Sequence, residues 1–301
     1  MFAQQRPFTA NDLPAMRQLA RELADQHLRN TDLPYRLSSW AIQEPQNLAV
    51  WVDDDQKLIG WAALQKPFWT IDFTCPAWLD AQVLQWADER ARAMKHSAWE
   101  LPCWFVMTFA DQQSRIQELE AAGFANQADC GEDSWSKVWM ERPADRPIAS
   151  YRIPAGFQVR PLRGEQEAAT YVELHQAVFG TKNMTLDWRL RTLQQPGYEP
   201  ELDLVVEAPD GRLAAFCVGW LNGNSLGQPI GQIEPLGCHA DFRQYGLGRV
   251  VLAEVLRRMQ ALGVAKVYVE TDNYRDTAFR LYEHIGFQTI RPVLVFRKDY
   301  A

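Results

Sequence analysis

The sequence lacks several features that would define common classes of protein. No apolar run approaches the ~20 residues needed to span a bilayer, and the first residues lack the basic and apolar regions of a signal peptide. The five cysteines and five histidines are scattered, without the short spacings of a zinc site or an HxxxH pair. We therefore expect a cytoplasmic protein with no membrane partner, no metal and no disulfide framework.

Basic residues are not in excess either. Residues 1–150, the first half, hold 14 Lys/Arg and 21 Asp/Glu, whereas residues 151–301, the second half, hold 17 of each. Without a basic face to release counterions, nucleic acid is not expected as a partner. The acidic first half permits a cationic substrate, although a generic solubility surface explains the same charge equally well.

The two halves repeat the same order of elements. Each begins with a short strand that ends in Arg-Pro, followed by an amphipathic helix predicted over 11–27 in the first half and 165–179 in the second. A hairpin follows in each, with turns at 53–55 and 208–211. Late in each half a helix ends at Gly-Phe, where glycine supplies a left-handed C-cap. The polar, Pro-rich stretch 141–148 between the halves is typical of a linker.

The strongest local pattern is a glycine loop in the second half. A predicted strand over 232–238 contains Pro235, which favours a bulge over regular pairing. Gly246 and Gly248 then open a predicted helix over 250–262. Glycines at a helix entrance leave backbone N–H groups unobstructed, and the helix dipole adds positive potential, so the natural ligand is a phosphate or pyrophosphate.

Two phosphate-binding interpretations compete at this loop. In a dinucleotide-binding fold, Glu270 would bind the ribose, because it lies about 20 residues after the glycines at a strand end. Against this interpretation, Val251 occupies the third glycine position, and the loop lies deep in its half rather than in the first strand–helix unit.

The other interpretation accounts for more residues. The motif Arg-x-x-Gly-x-Gly at 243–248, the strand that ends near 270 and the motif Leu-Tyr-Glu-x-x-Gly-Phe at 281–287 resemble, in order and separation, the GNAT N-acetyltransferase superfamily. The duplicated layout resembles tandem GNAT proteins such as mycothiol synthase. The resemblance implies an α/β (α+β) fold of two tandem GNAT-like domains, each a mixed, mostly antiparallel sheet flanked by helices. The expected boundaries are 1–142, a linker over 143–155, and 156–301.

The resemblance also implies roles for individual residues. Acetyl-CoA would be the co-substrate, with its pantetheine in a gap beside a bulged strand and its pyrophosphate on the glycine loop. The residues implied for pantetheine are Leu236, Gly237 and Cys238, and those implied for pyrophosphate are Arg243, Gln244, Tyr245, Gly246, Leu247, Gly248 and Arg249. Many family members have an asparagine seven residues before the tyrosine, where this chain has Arg275; Asn273, nine before it, is the remaining candidate for a cofactor contact.

Two residues are predicted to carry the chemistry. Tyr282 matches the family tyrosine that protonates the departing thiolate, and otherwise it packs its helix as a core tyrosine. Glu234 shares a strand face with Leu236 and is the preferred general base, with a structural or surface glutamate as the alternative. Asp241 and His239 are weaker candidates because they lie nearer the phosphate end.

The first half departs from the family pattern. At 73–81 it has neither Gly-x-Gly nor a flanking arginine, and Asp72 and Asp80 would repel phosphate. This degenerate half is expected to have lost ordinary acetyl-CoA binding. It holds ten of the twelve tryptophans, of which Trp69 and Trp104 are candidates to line a cleft.

The expected function is transfer of an acetyl group from acetyl-CoA to a primary amine of a small molecule by direct attack. The alternatives are a non-catalytic CoA-binding sensor or interaction protein, and a dinucleotide-dependent oxidoreductase. Trp188, Tyr198 and Trp220 are candidates to shape the acceptor pocket. A monomer and a homodimer are equally compatible with the sequence.

Overall fold

The computed structural model describes residues 3–95, 103–128, 136–224, 226–272 and 276–300. No helix in these ranges is long and apolar enough to cross a membrane.

The first half folds as alternating strands and helices. Its strands are β1 (Gln4–Pro7), β2 (Leu48–Val52), β3 (Leu58–Gln65), β4 (Thr70–Thr74), β5 (Cys103–Phe109), β6 (Ala125–Asn126) and β7 (Ser136–Pro143), and its helices are α1 (Leu13–Glu22), α2 (Leu33–Leu37), α3 (Asp80–Lys95) and α4 (Gln113–Ala121). The predicted hairpin is confirmed as β2–β3. The helix predicted over 11–27 extends five residues past the end of α1 at Glu22, where the chain runs into an irregular, largely buried segment.

The second half repeats this order. Its strands are β8 (Gln158–Pro161), β9 (Asp203–Glu207), β10 (Leu213–Gly223), β11 (Pro229–Cys238), β12 (Lys266–Asp272) and β13 (Gln288–Asp299), and its helices are α5 (Ala168–Phe179), α6 (Leu186–Leu193), α7 (Leu247–Ala261) and α8 (Asp276–Ile285). Both predicted glycine C-caps are confirmed. Gly123 has φ +85° and Gly286 has φ +105°, and the N–H groups of Phe124 and Phe287 close the turns.

Helices cover both faces of the sheet, so its inner strands are buried on both sides. In β10, Ala215 and Cys217 pack on the side of α7, whereas Phe216 and Val218 pack with α5 and α6. Because both faces of the central strands are buried, the sequences of these strands are continuous apolar runs instead of alternating apolar and polar residues.

The two halves share one sheet and exchange their last strands. The strand order is β1-β2-β3-β4-β5-β13-β7-β12-β11-β10-β9-β8, with β6 paired beside β13. Thus β13 of the second half pairs with β5, and β7 of the first half pairs with β12. The mixed, mostly antiparallel sheet expected from sequence is confirmed, but the halves are joined through the sheet instead of standing as two separate sheets.

The stretch predicted as a linker begins inside a strand. Residues 141–143 are the end of β7, and Arg142 is fully buried there. Its guanidinium donates hydrogen bonds to four carbonyl oxygens, those of Ile285 (2.9 Å), Pro143 (2.9 Å), Arg146 (2.7 Å) and Pro147 (3.1 Å). This side chain fixes the exit of β7 to the end of α8.

Arg142→Ala is expected to lower the free energy of unfolding by about 3 kcal/mol, because buried carbonyl oxygens lose their donor. Chemical denaturation followed by tryptophan fluorescence measures this change. Arg152→Ala, at an exposed position nearby, is the control and should change stability by less than about 0.5 kcal/mol. Equal stability of the two variants would contradict the anchoring role of Arg142.

Candidate functional site

A gap opens between β11 and β12 in the centre of the second half. The parallel pairing of these strands is confined to Ile230–Gln232 against Lys266–Tyr268, although both strands continue beyond it. On its other side, β11 carries one extra residue against β10, at Glu234–Pro235, where the peptide bond is cis. The bulge that Pro235 predicts is therefore confirmed, and among the described residues no strand pairs with the β12-facing edge of β11 from Leu236 onward.

The glycine loop lies at the end of this gap. A short 3-10 helix spans Ala240–Tyr245, and Gly246 has φ +69° at the entrance of α7. A side chain at Gly246 would be strained in this left-handed conformation, so the backbone geometry requires glycine. No side chain of the described residues caps the N-terminus of α7, and no acidic residue lies in its first turn.

Gly248 has a different explanation. It lies in the first turn of α7, and among the described residues a Cβ added there would come within 4 Å of Leu281 alone, at 3.8 Å. Glycine costs about 1 kcal/mol relative to alanine within a helix, and packing inside the protein does not require it at this position. A ligand that approaches the helix entrance closely accounts for this glycine, and a pyrophosphate group fits such an entrance.

The charged residues of the loop are available to an anion. Arg243 and Arg249 are both exposed, and the Arg249 guanidinium lies 5.6 Å from the ring of Tyr151. The Gln244 side chain donates to the carbonyl oxygen of Asp241 at 2.9 Å, which ties the loop to itself.

Two other predicted loop residues serve packing through their side chains. Leu247 is fully buried in the core, so only its backbone faces the loop. Tyr245 is exposed, with its ring 5.1 Å from that of Phe157.

The residues predicted to border pantetheine lie on the free edge of β11. Leu236 lines the central cavity described below. A side chain at Gly237 would come within 2.6 Å of Phe216 and Val178, so packing accounts for that glycine. Burial raises the pKa of the Cys238 thiol to about 11. The thiol therefore stays protonated near neutral pH and is a poor nucleophile.

A cavity of about 330 Å³ lies where the two halves meet. It is lined by second-half residues Phe179, Glu234, Pro235, Leu236, Glu270, Thr271, Asp272, Ala278 and Tyr282, and by first-half residues Arg29, Arg36, Phe68, Thr70, Met107 and Lys137. The sequence pattern identified Glu234, Leu236 and Tyr282 but none of the first-half residues. The structure thus brings the two predicted catalytic residues to one cavity.

Glu234 carries the carboxyl group in this cavity lining whose pKa is raised. Its pKa is raised to about 7, and burial is the main cause. The nearby carboxylates of Asp32 and Glu270 also raise the pKa, by more than Arg29 and Arg36 lower it. A carboxyl group with a pKa near 7 exchanges protons readily at neutral pH, as a general base must. The partly exposed side chain is accessible from the cavity.

Glu270 has the opposite electrostatic setting. Burial alone would raise its pKa, but Arg29 and Lys137, at 2.9 Å each, outweigh burial and lower the pKa to about 2. Lys137 also pairs with Asp272 at 3.1 Å. Glu270 is thus a fixed anion held by two first-half cations, which disfavours its assignment as a ribose-binding acid.

The phenol of Tyr282 has a raised pKa, so it gives up its proton only to a strong base. It is 7% exposed, and burial is the main cause that raises its pKa, with Cys217 and Glu234 adding to it. Its ring also packs edge-to-face on Phe287 at 5.6 Å. The phenol therefore stays protonated at neutral pH. The interpretations as core tyrosine and as acid both fit its packing, and the cavity adds access to a ligand.

The remaining candidates lie elsewhere. Asp241 and His239 cap the loop, where Asp241 pairs with Arg212 at 3.0 Å, and neither residue lines the cavity. Asn273 lies outside the described residues. Trp104, Trp188 and Trp220 are buried in the cores, and Tyr198 donates to Asp203 at 2.6 Å. The expectation that these aromatic residues line the acceptor cavity is therefore wrong.

Comparison with known proteins agrees with this geometry. Residues 168–287 match the family model for the acetyltransferase (GNAT) family. The mycothiol acetyltransferase of Kineococcus radiotolerans is 36% identical over 140 residues, which cover 45% of this chain and 44% of that relative. Over residues 168–287 the chain therefore resembles the GNAT family. The mycothiol acetyltransferase of Acidothermus cellulolyticus is 25% identical over 267 residues, covering 80% of this chain and 76% of the relative.

Solved GNAT structures share the fold over nearly the whole length. A GCN5-related N-acetyltransferase from Sphaerobacter thermophilus has a TM-score of 0.67 at 20% identity, covering 99% of this chain and 95% of that one. A tandem GNAT protein from the clavulanic acid biosynthesis pathway has a TM-score of 0.64 at 14% identity, covering 99% and 98%. The tandem GNAT fold is therefore confirmed. The chain spans about half the length of most curated relatives that it matches.

Proposed function

We propose that this GNAT protein is an N-acetyltransferase that moves an acetyl group from acetyl-CoA to a primary amine of a small molecule. The observation that carries the proposal is the cavity shared by Glu234 and Tyr282 at the splayed end of β11. A base that titrates near neutral pH and a protonated phenol face the same space, as direct transfer requires.

The proposed reaction has one attack and two proton movements. The amine nitrogen attacks the thioester carbonyl carbon while Glu234 takes the nitrogen's proton. The carbon–sulfur bond then breaks, and Tyr282 gives its proton to the leaving sulfur. The thiol of CoA and the acetylated amine are the products. The exposed arginines and the N–H groups of the first turn of α7, which no side chain of the described residues caps, support binding of the pyrophosphate of acetyl-CoA.

The charge of the cavity favours an acceptor that arrives as a cation. Three cations (Arg29, Arg36 and Lys137) face five acidic groups (Asp32, Asp72, Glu234, Glu270 and Asp272) in and behind its wall. An ammonium group entering beside Glu234 reduces this imbalance, and it releases one proton to solvent before the neutral amine attacks. The matched relatives are named mycothiol acetyltransferases. For this chain we propose the broader class of small cationic amines as acceptors.

Two measurements test the proposal. Isothermal titration should show acetyl-CoA binding once per chain, and an amine panel should release free CoA thiol with at least one member. Binding without thiol release from any amine would favour the sensor alternative. Thermal stabilisation by NAD or FAD that exceeds stabilisation by CoA would favour the oxidoreductase and contradict the proposal.

The pH dependence of turnover is a separate prediction. Because only the carboxylate form of Glu234 accepts a proton, kcat/KM is expected to fall about tenfold per pH unit below a pKa near 7. Initial rates of thiol release from pH 5 to 9 measure this profile. A rate that stays constant down to pH 5 would exclude a base with a raised pKa.

A further inference from the structure

The first half has a strand gap that corresponds to the one in the second half. Parallel pairing between β4 and β5 is confined to Thr70 with Phe105, beyond which the two strands separate. The chain between α1 and α2, residues 24–32 and here called the gap segment, runs beside both strands. The space left among residues 26–29, β4 and β5 is about 20 Å³, room for about one water molecule. The chain itself thus fills the place where a GNAT sheet opens.

His27 fixes the gap segment to β4. Its Nδ1 lies 3.3 Å from the Arg115 guanidinium, which can only donate, so Nδ1 must be the accepting nitrogen. With Nδ1 accepting, Nε2 carries the proton and donates to the Cys75 carbonyl oxygen at 2.9 Å, and the Cys75 backbone N–H lies 3.2 Å from the same nitrogen. Burial lowers the pKa of His27 well below its usual value, so the ring remains neutral. This hydrogen bond lies on the strand edge that corresponds to the free edge of β11.

Both halves hold the gap segment at further points. Arg291 of β13 donates to the carbonyl oxygen of Asp25 at 2.7 Å. In the first half, Gln112 donates to the carbonyl oxygen of Gln26 at 2.7 Å. In the second half, Asn222 of β10 donates to the Asn30 side chain at 2.8 Å.

Arg29 extends from the gap segment into the wall of the central cavity. Its guanidinium pairs with Glu270 at 2.9 Å and Asp32 at 3.3 Å, and its other terminal nitrogen lies 3.4 Å from the sulfur of Met107. Arg29 is two residues from His27, so the anchor in the gap fixes where the guanidinium lies. The charge of Arg29 also acts on the neighbouring Glu234.

We propose that the gap segment is a positioning arm, in which His27, held in the first half's strand gap, keeps Arg29 in the wall of the acceptor cavity. This inference rests on the proposed function, because the cavity is taken to receive the acceptor amine. In the first half, the gap segment occupies the place that a cofactor would need. From that place it shapes the acceptor site of the second half. His27 is a positioning residue that acts through Arg29 and touches no reactant.

A carbon NMR titration of the Glu234 carboxyl group tests the arm directly. Glutamate labelled at Cδ reports the carboxyl groups, and the signal lost in Glu234→Gln assigns the resonance. In His27→Ala, Arg29 loses its anchor, so the pKa of Glu234 should rise clearly above its native value of about 7 because a nearby positive charge is withdrawn. Arg29→Met should raise this pKa as well, and the double variant should raise it little further.

Two variants separate positioning from mere loss of stability. His27→Gln keeps an N–H donor for the Cys75 carbonyl and is expected to restore a native Glu234 titration. Leu84→Ala removes a buried core side chain of α3 and should destabilise the first half without moving that titration. An unchanged pKa in folded His27→Ala, or an equal rise in Leu84→Ala, would overturn the proposal.

The kinetic test uses spermidine as the probe amine. In His27→Ala, the KM for spermidine should rise roughly tenfold, as expected when a positioned wall is loosened, while the acetyl-CoA affinity by calorimetry stays native. A native acceptor KM together with a native Glu234 titration would contradict the arm. If the native protein did not bind acetyl-CoA, the proposed function would be wrong but the positioning arm would not. The NMR titration tests the arm whether or not spermidine is acetylated.

Discussion

Replacing Glu234 by glutamine is expected to lower kcat by about 10²- to 10⁴-fold, the range found when a general base is removed. Glutamine has nearly the same shape as glutamate but cannot accept the amine's proton at neutral pH. The fold should tolerate the change, because burial already brings Glu234 close to its neutral form at pH 7. The affinity for acetyl-CoA should stay within about twofold, and the acidic limb of the pH profile should disappear.

Asp241→Asn is the matched control for this experiment. Asp241 is the rival base nearest the glycine loop, yet it is exposed and pairs with Arg212, outside the cavity. Its replacement should change kcat by less than about threefold, as for a surface charge. If Asp241→Asn abolished turnover and Glu234→Gln did not, the assignment of the base would be wrong.

Gly246→Asp is expected to weaken acetyl-CoA binding by at least about 30-fold, because it places a carboxylate where a pyrophosphate would bind and opposes about 2 kcal/mol of charged hydrogen bonding. The control is Gly246→Asn, which has the same size and tolerates the left-handed conformation about as well as aspartate. Both variants bear the same backbone strain, so their difference in calorimetric affinity isolates the charge.

The outcome also separates the cofactor site from the acceptor site. Gly246 lies outside the cavity lining, so the titration of Glu234 should be native in both variants. Equal affinity of Gly246→Asp and Gly246→Asn for acetyl-CoA would mean that no phosphate group binds at the entrance of α7.

The sequence predicts the local geometry of the second half well. Gly246 and Gly286 stand where the backbone turns left-handed, and Pro235 stands at the bulge, because each of these residues has a strong conformational preference of its own. Gly248 was identified from the same pattern, and the structure adds that packing does not require glycine there, because an added Cβ would lie in ordinary contact with Leu281, at 3.8 Å. Local preference therefore identified the loop and the strand distortion.

Other features depend on contacts between distant parts of the chain. Nothing in the composition of β13 distinguishes pairing with β5 from pairing with β12, since the same alternation serves either neighbour. The helix predicted over 11–27 ends at Glu22, because His27 and the following Arg29 contact Cys75 and Glu270, which are more than 45 residues away in the sequence. The first-half wall of the cavity was missed for the same reason.

The exchange of β7 and β13 has a consequence for biosynthesis. When the first half leaves the ribosome, β5 has no neighbour on one side, because that neighbour, β13, follows every other strand in the chain. Until then, an open strand edge flanked by buried aromatic residues such as Phe109 is exposed to self-association. The free edge of β5 therefore stays unpaired until β13 has been synthesised. Chaperone binding during synthesis would protect this edge.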